Sequence, residues 1–200
     1  MAEPNVFKSS VEREVMWAPW EGPGLEHLRL VTSDDGGVVA NGLVIGLEAG
    51  RTFRIGYEIR CDGLWRVREV RAAAPDSGRP VLELLADGEG RWTRRDGEPV
   101  PDLDGCVEVD ISATPFTNTL PIRRLGLKPG QSEELAVVYI RIPELLVGAE
   151  RQRYVCLEAR GSGGLYRFEA LPSGFTAELP VDAEGLVIDY PGLFRRAWSG

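Results

Sequence analysis

Residues 53–61 read FRIGYEIRC, and this stretch decides the fold. Phe53, Ile55, Tyr57, Ile59 and Cys61 take alternate positions, with Arg54, Glu58 and Arg60 between them. A period of two sends successive side chains to opposite faces of an extended chain, so the pattern predicts a strand with one buried face. In CVEVDI (106–111), Val107, Val109 and Ile111 share one predicted face, and Cys106, Glu108 and Asp110 the other. LAVVYIRI (135–142) is apolar on both faces except at Arg141, which predicts a strand covered from both sides. Between such runs lie the turn signals SDDGG, ANG, CDG, PDSG, ADGEG, RDG, LKPG and PSG. Apolar stripes of helical spacing are scarce. Short helices are expected only at PELLVGAE (143–150) and PGLFRRAW (191–198). The expected fold class is all-β with little helix, a curved, barrel-like antiparallel sheet in a single domain over residues 1–200.

The strands also echo one another. EIRCDGLWR (58–66) is matched by EARGSGGLYR (158–167), GRWT (90–93) by GFT (174–176), and DLDGCVEVD (102–110) by DAEGLVID (182–189). Each series continues through a proline, Pro115 or Pro191, to an arginine pair, Arg123-Arg124 or Arg195-Arg196. Residues of about 50–125 and 150–196 therefore read as an internal duplication of one β unit.

Bulk composition narrows the classes of function. A formal net charge of −8 opposes non-specific attraction to nucleic acid or to anionic membranes. No segment approaches the ~20 apolar residues of a membrane-spanning helix. The opening MAEPNVFKSSVEREVMWAPW lacks the apolar run of an export signal, so a cytoplasmic location is expected. Cys61, Cys106 and Cys156 are far apart and include no CxxC or CxxH, and His27 is the single histidine. Reduced, buried thiols are expected, with no metal site and no cofactor.

The run DISATPFTNTLPIRRLG (110–126) breaks a strand with Thr, Asn and Pro before two arginines. Pro115 cannot donate to a central ladder, and Pro121 favours an extended Leu120, so IRRL is expected to resume as strand with Arg123 and Arg124 on opposite faces. Two readings stand. The loop caps itself through Thr114, Thr117, Asn118 and Thr119, or it lines a pocket. In the second, Thr114, Asn118 and the Phe116 ring meet a polyol or sugar, and one arginine grips an anion or a carboxylate of the protein.

On these residues the chain resembles a known family. LDGCVEVDISATPFTNTLPIRRL (103–125) is similar to the signature of a bacterial family described as glycolipid-binding proteins, formerly a domain of unknown function. GLEHLRL (24–30), EIRCDGLWRVREV (58–70), the Trp92 hairpin and GLVIDYPGLFRR (185–196) share the likeness. The resemblance implies one β-rich, curved, barrel-like fold, similar in shape to bacterial lipoprotein carriers, and an amphiphilic ligand. It implies no catalytic residue.

Three functions follow. The first is non-catalytic binding of a small amphiphile, such as a glycolipid, in a cavity of the curved sheet. Its candidate ligand-binding residues are His27, Trp65, Arg66, Glu108, Asp110, Thr114, Phe116, Asn118, Arg123 and Arg124. The second is a hydrolase or isomerase acting on a sugar or acyl ester. It would use His27 with Glu108 or Asp110, whose carboxylates lie roughly 6–7 Å apart by strand rise, within the range glycosidases use. The third is a scaffold without a small ligand, in which these charges pair internally. No nucleophile motif or phosphate loop is present. The partner expected is the amphiphile, with no nucleic acid and no integral membrane segment; the sequence leaves the oligomeric state open.

Overall fold

The structure, a computed structural model, describes residues 11–74 and 81–200. Fourteen strands follow one another: β1 (Val11–Pro19), β2 (Gly24–Thr32), β3 (Val38–Glu48), β4 (Arg51–Cys61), β5 (Val67–Ala73), β6 (Leu82–Ala86), β7 (Trp92–Arg94) and β8 (Cys106–Ile111). After one short helix, α1 (Thr119–Leu125), come β9 (Ser132–Arg141), β10 (Leu146–Arg160), β11 (Gly163–Ala170), β12 (Phe175–Asp182), β13 (Asp189–Tyr190) and β14 (Phe194–Ser199). The PDSG turn signal (75–78) lies outside the described residues. The first of the two echoing segments runs through β4–β8 and α1, the second through β10–β14.

The all-β class holds, and the barrel does not close. Nine strands form one sheet in the order β13-β14-β1-β2-β3-β4-β5-β6-β7, and five form another, β12-β11-β10-β9-β8. Among the described residues neither order returns to its start, so the chain makes two curved, open sheets. All named pairings are antiparallel except β8 with β9, where the chain crosses over through α1 and returns parallel.

Two cores result, and β9 serves both. Val138 and Ile140 join Val109 and Ile111 of β8 against Val15, Trp17, Leu28, Ile55, Ile59 and Val70 of the large sheet. Leu135 and Val137, on the opposite face of β9, pack with Tyr154, Cys156, Phe168, Leu179 and Ile122 of α1. This is the strand covered on both sides that LAVVYIRI predicts. In β4 the predicted face is buried at Ile55, Tyr57, Ile59 and Cys61. Each such side chain withdrawn from water contributes about 1.5–3 kcal/mol.

Five local readings change. In β8 a bulge between Cys106 and Glu108 shifts the phase, so Cys106 joins Val109 and Ile111 in the first core. Residues 119–125 are helical rather than extended. Pro121 is the third helical residue, where its missing N–H would have no partner within the helix, and Gly126 ends the helix at φ 55°. PELLVGAE forms a turn that enters β10, and PGLFRRAW a turn that enters β14. ANG is no turn: Asn41 and Gly42 lie within β3.

Gly42 and Gly46 are spaced four apart on β3, as are Tyr57 and Phe53 on β4, and the antiparallel register sets Gly42 opposite Tyr57 and Gly46 opposite Phe53. Each aromatic ring lies across its glycine. A Cβ on Gly42 would sit 2.0 Å from the Tyr57 ring, and one on Gly46 2.7 Å from the Phe53 ring. The DG-type signals elsewhere are true turns held by one aspartate each. Asp62 Oδ1 accepts from the N–H groups of Leu64 and Arg66, Asp87 Oδ1 from Glu89 and Arg91, and Asp182 Oδ1 from Glu184 and Leu186.

Candidate binding cleft

One end of the large sheet is hollowed. The β3–β4 hairpin turns on Ala49 (φ 47°) and Gly50 (φ 77°), a pair of positive φ angles that suits a tight two-residue hairpin. Across from it, Pro143 and Glu144 turn β9 into β10. Between these turns lie two depressions. The first, of about 590 Å³, is lined by Trp17, Glu26, Phe53, Ser112, Tyr139 and Arg141, among others. The second, of about 880 Å³, is lined by Ile45, Leu47, Phe53, Ile55, Ala74 and Pro143, among others. They share Gly24, Ile45, Gly46, Leu47 and Phe53 as common wall and so form one cleft with a polar part and an apolar part.

Glu26 is the chemical centre of the polar part. It is 2% exposed, on the same face of β2 as Leu28 and Leu30. The Tyr57 hydroxyl donates to its Oε1 at 2.5 Å and stands 3.3 Å from the Thr114 hydroxyl. Oε2 is buried without a hydrogen-bond partner. Burial pushes the carboxyl up to about 7, against the opposing hydrogen bonds of Thr114 and Tyr57. At neutral pH such a group can both donate and accept. Gly42 makes this arrangement possible, because only a residue without Cβ lets the Tyr57 ring cross β3 in its observed position. Ser112, at the foot of the same wall, accepts from the Ile142 N–H at 2.9 Å.

The residues that sequence reading nominates divide among several places. Thr114 touches the Glu26–Tyr57 network and also caps the following turn by accepting from the Phe116 N–H at 3.0 Å. Glu108 and Asp110 lie on the second-core face of β8. Glu108 is wholly buried, with Arg124 Nε donating to Oε1 and with Oε2 unpartnered. Burial raises its carboxyl to about 7, and the Arg124 charge pulls the other way. Asp110 accepts from Gln152 Nε2 at 2.6 Å and from Thr117 Oγ1 at 2.8 Å, and burial raises its carboxyl as well. Asn118 accepts from the Tyr154 hydroxyl at 2.9 Å, and Phe116 is sealed in the first core. Arg123 stacks over the Trp65 ring at 5.0 Å, and Arg66 pairs with Asp62 at 2.8 Å. The two arginines of α1 thus diverge, as neighbours on a helix do, one to Trp65 and one to Glu108.

His27 points away from all of these. Glu26 and Leu28 face inward, so the imidazole between them lies on the outer face of the large sheet, 3.7 Å from Glu14. The structure does not bring His27 to Glu108 or Asp110. It assembles instead a set that sequence reading passed over: Glu26, Tyr57, Ser112, Tyr139 and Arg141. A signal for Glu26 was present, since it shares the period-two phase of Leu28 and Leu30 and so places a carboxylate among core positions. Among the described residues no group of three or more His, Cys, Asp or Glu side chains could hold a metal ion. The three cysteines are free and buried. No helix among the described residues is long and apolar enough to cross a membrane.

Comparison with known proteins agrees with this architecture. A crystal structure of a DUF1089 family protein from Pseudomonas aeruginosa is similar over 88% of this chain and 95% of its own, with 42% sequence identity and a TM-score of 0.76. No curated protein matches the chain. Residues 14–196 match the family described as "Putative glycolipid-binding", and the chain belongs to that family.

Proposed function

We propose that this protein holds a single amphiphile in the cleft at the end of the large sheet, the tail in the apolar part and the head in the polar part, and does not transform it. The observation that carries this reading is the shared wall: Gly24, Gly46 and Phe53 border both depressions, so one molecule can span them. The combined space suits a ligand with one or two acyl chains better than a small polar metabolite, since drug-sized pockets run about 300–1,000 Å³. The family description makes a glycolipid the natural class.

The test is direct. Protein purified without detergent is extracted with organic solvent, and the extract is analysed by mass spectrometry beside a Phe53→Asp variant that places charge in the common wall. Retention of lipid by the wild-type chain and its loss from the variant is the expected result. Equal lipid in both, or none in either together with no uptake from mixed-lipid vesicles, overturns the reading.

A further inference from the structure

Resting on that reading of the cleft, we propose that its polar part takes an uncharged, hydroxyl-bearing head, a glycosyl or polyol group, and discriminates against phosphate-bearing heads through Glu26. Three observations combine. First, Glu26 is a cleft-lining carboxyl with one oxygen satisfied by Tyr57 and the other, Oε2, buried and unpartnered. A buried acceptor without a donor is costly, and a ligand hydroxyl that reaches it removes the cost. Second, the fixed charges around the polar part are dominated by carboxylates: Glu21, Glu26, Glu48 and Glu144 against Arg141. A phosphate would enter a field of its own sign with one guanidinium to meet it, whereas known phosphate sites use several cations or a row of backbone N–H groups. Third, Trp17, Phe53 and Phe194 give the same space an aromatic wall. Aromatic faces present a flat apolar surface, and the C–H face of a pyranose can lie against it while its hydroxyls reach the polar floor.

Glu26 is suited to hydroxyls in a further way. With its carboxyl raised to about 7 it offers a donor or an acceptor as the head requires, and Tyr57, whose hydroxyl stands beside that of Thr114, holds the carboxyl from below. A head that carries only a quaternary ammonium has no hydrogen to give Oε2, so its attraction would rest on charge alone.

Matched tails isolate the head. n-Dodecyl β-D-maltoside, dodecyl phosphate and dodecyltrimethylammonium are each titrated into the protein at pH 8, below their micelle thresholds, by calorimetry. The maltoside is expected to bind roughly tenfold or more tightly than the phosphate, a margin equal to one hydrogen bond to a charged group. Glu26→Gln, which keeps the size and removes the charge, is expected to weaken the maltoside by about three- to tenfold and to strengthen the phosphate, closing most of the gap between them. If the three probes bind alike, or if Glu26→Gln leaves their ranking unchanged, the cleft reading stands and the assignment of its head falls. Tightest binding of the ammonium probe overturns the assignment in favour of a cation site. Binding of none of the three overturns this inference and the cleft reading together.

Discussion

Gly42→Ala tests whether the fold was built around the Tyr57–Glu26 contact. The added Cβ would lie 2.0 Å from Tyr57 Cε1, 2.1 Å from Cζ and 2.5 Å from the hydroxyl oxygen, so ring and methyl cannot coexist. Forcing one extra carbon into a packed interior costs about 1–3 kcal/mol. If the ring swings away, Glu26 loses its donor at 2.5 Å, and a hydrogen bond to a buried carboxyl is worth about 1.5–3 kcal/mol. Replacing a mid-strand glycine by alanine returns about 0.5–1 kcal/mol of backbone entropy. The net expectation is a loss of ~2–5 kcal/mol, the range reflecting whether the ring yields or the strand does. Gly56→Ala is the control: it lies on the adjoining strand with nothing within 4 Å of its added Cβ, and is expected to keep the entropic gain of about 0.5–1 kcal/mol with no loss against it. Urea unfolding followed by tryptophan fluorescence measures both. Equal midpoints for the two variants would refute the argument that Gly42 is the seat of the Tyr57 ring.

Three other tests address charge and backbone. Burial raises Glu26 and Glu108 from 4.5 to about 7, so the folded chain binds more protons than the unfolded one between those values. Their stabilising contribution is complete below about pH 4.5 and is lost as pH rises through about 7; Glu26→Gln should reduce the fall in unfolding free energy between pH 5 and pH 8 by on the order of 2–3 kcal/mol. Asp35 and Asp87 act in the opposite sense at lower pH, because hydrogen bonds from Ser33 and from the Arg91 N–H hold their carboxyls below the usual range. Arg124→Ala strands the wholly buried Glu108 and should cost about 3–5 kcal/mol at pH 8 and clearly less at pH 5, where Glu108 takes up a proton; equal losses at the two pH values in denaturant melts would count against this. Trp65 sits at φ 62° under Arg123. Both Trp65→Ala and Trp65→Gly lose the stacking, yet the glycine variant should melt later, by about 1 kcal/mol in stability, because it alone escapes the left-handed strain.

Alternation made the sheets legible, since a strand with one wet face must write its period into the chain. FRIGYEIRC and LAVVYIRI were read in the phases the structure shows. The failures have physical causes. Asn41-Gly42 is a turn by local preference, but the Tyr57 ring needs the space of a missing Cβ, and that need arises from a neighbouring strand. Residues 119–125 span too few turns to display a helical stripe, and Pro121 favours helix or extended chain according to whether its absent N–H would have been used. One inserted residue at 106–108 inverted the assignment of Cys106 without leaving a mark in the sequence. The cleft was harder still. Trp17, Glu26, Phe53, Ser112, Tyr139 and Phe194 come from six separate segments, so no local motif records their meeting. Glu26 alone announced itself, by standing in phase with leucines.

The pairing of β1 with β14 bears on how the chain is made. Val15 lies beside Ser199 and Pro19 beside Phe194, so the large sheet is not complete until residues almost a chain length apart have met. On the ribosome, β1 and β2 can form a hairpin early, but the other edge of β1 stays open while everything between Pro19 and Phe194 is synthesised. An unpaired edge is a template for the wrong partner, and a contact of such separation forms slowly because its loop must close first. Completion of the large sheet therefore waits until Phe194–Ser199 has been made, with shielding of the nascent β1 edge by a chaperone as the natural safeguard in the interval.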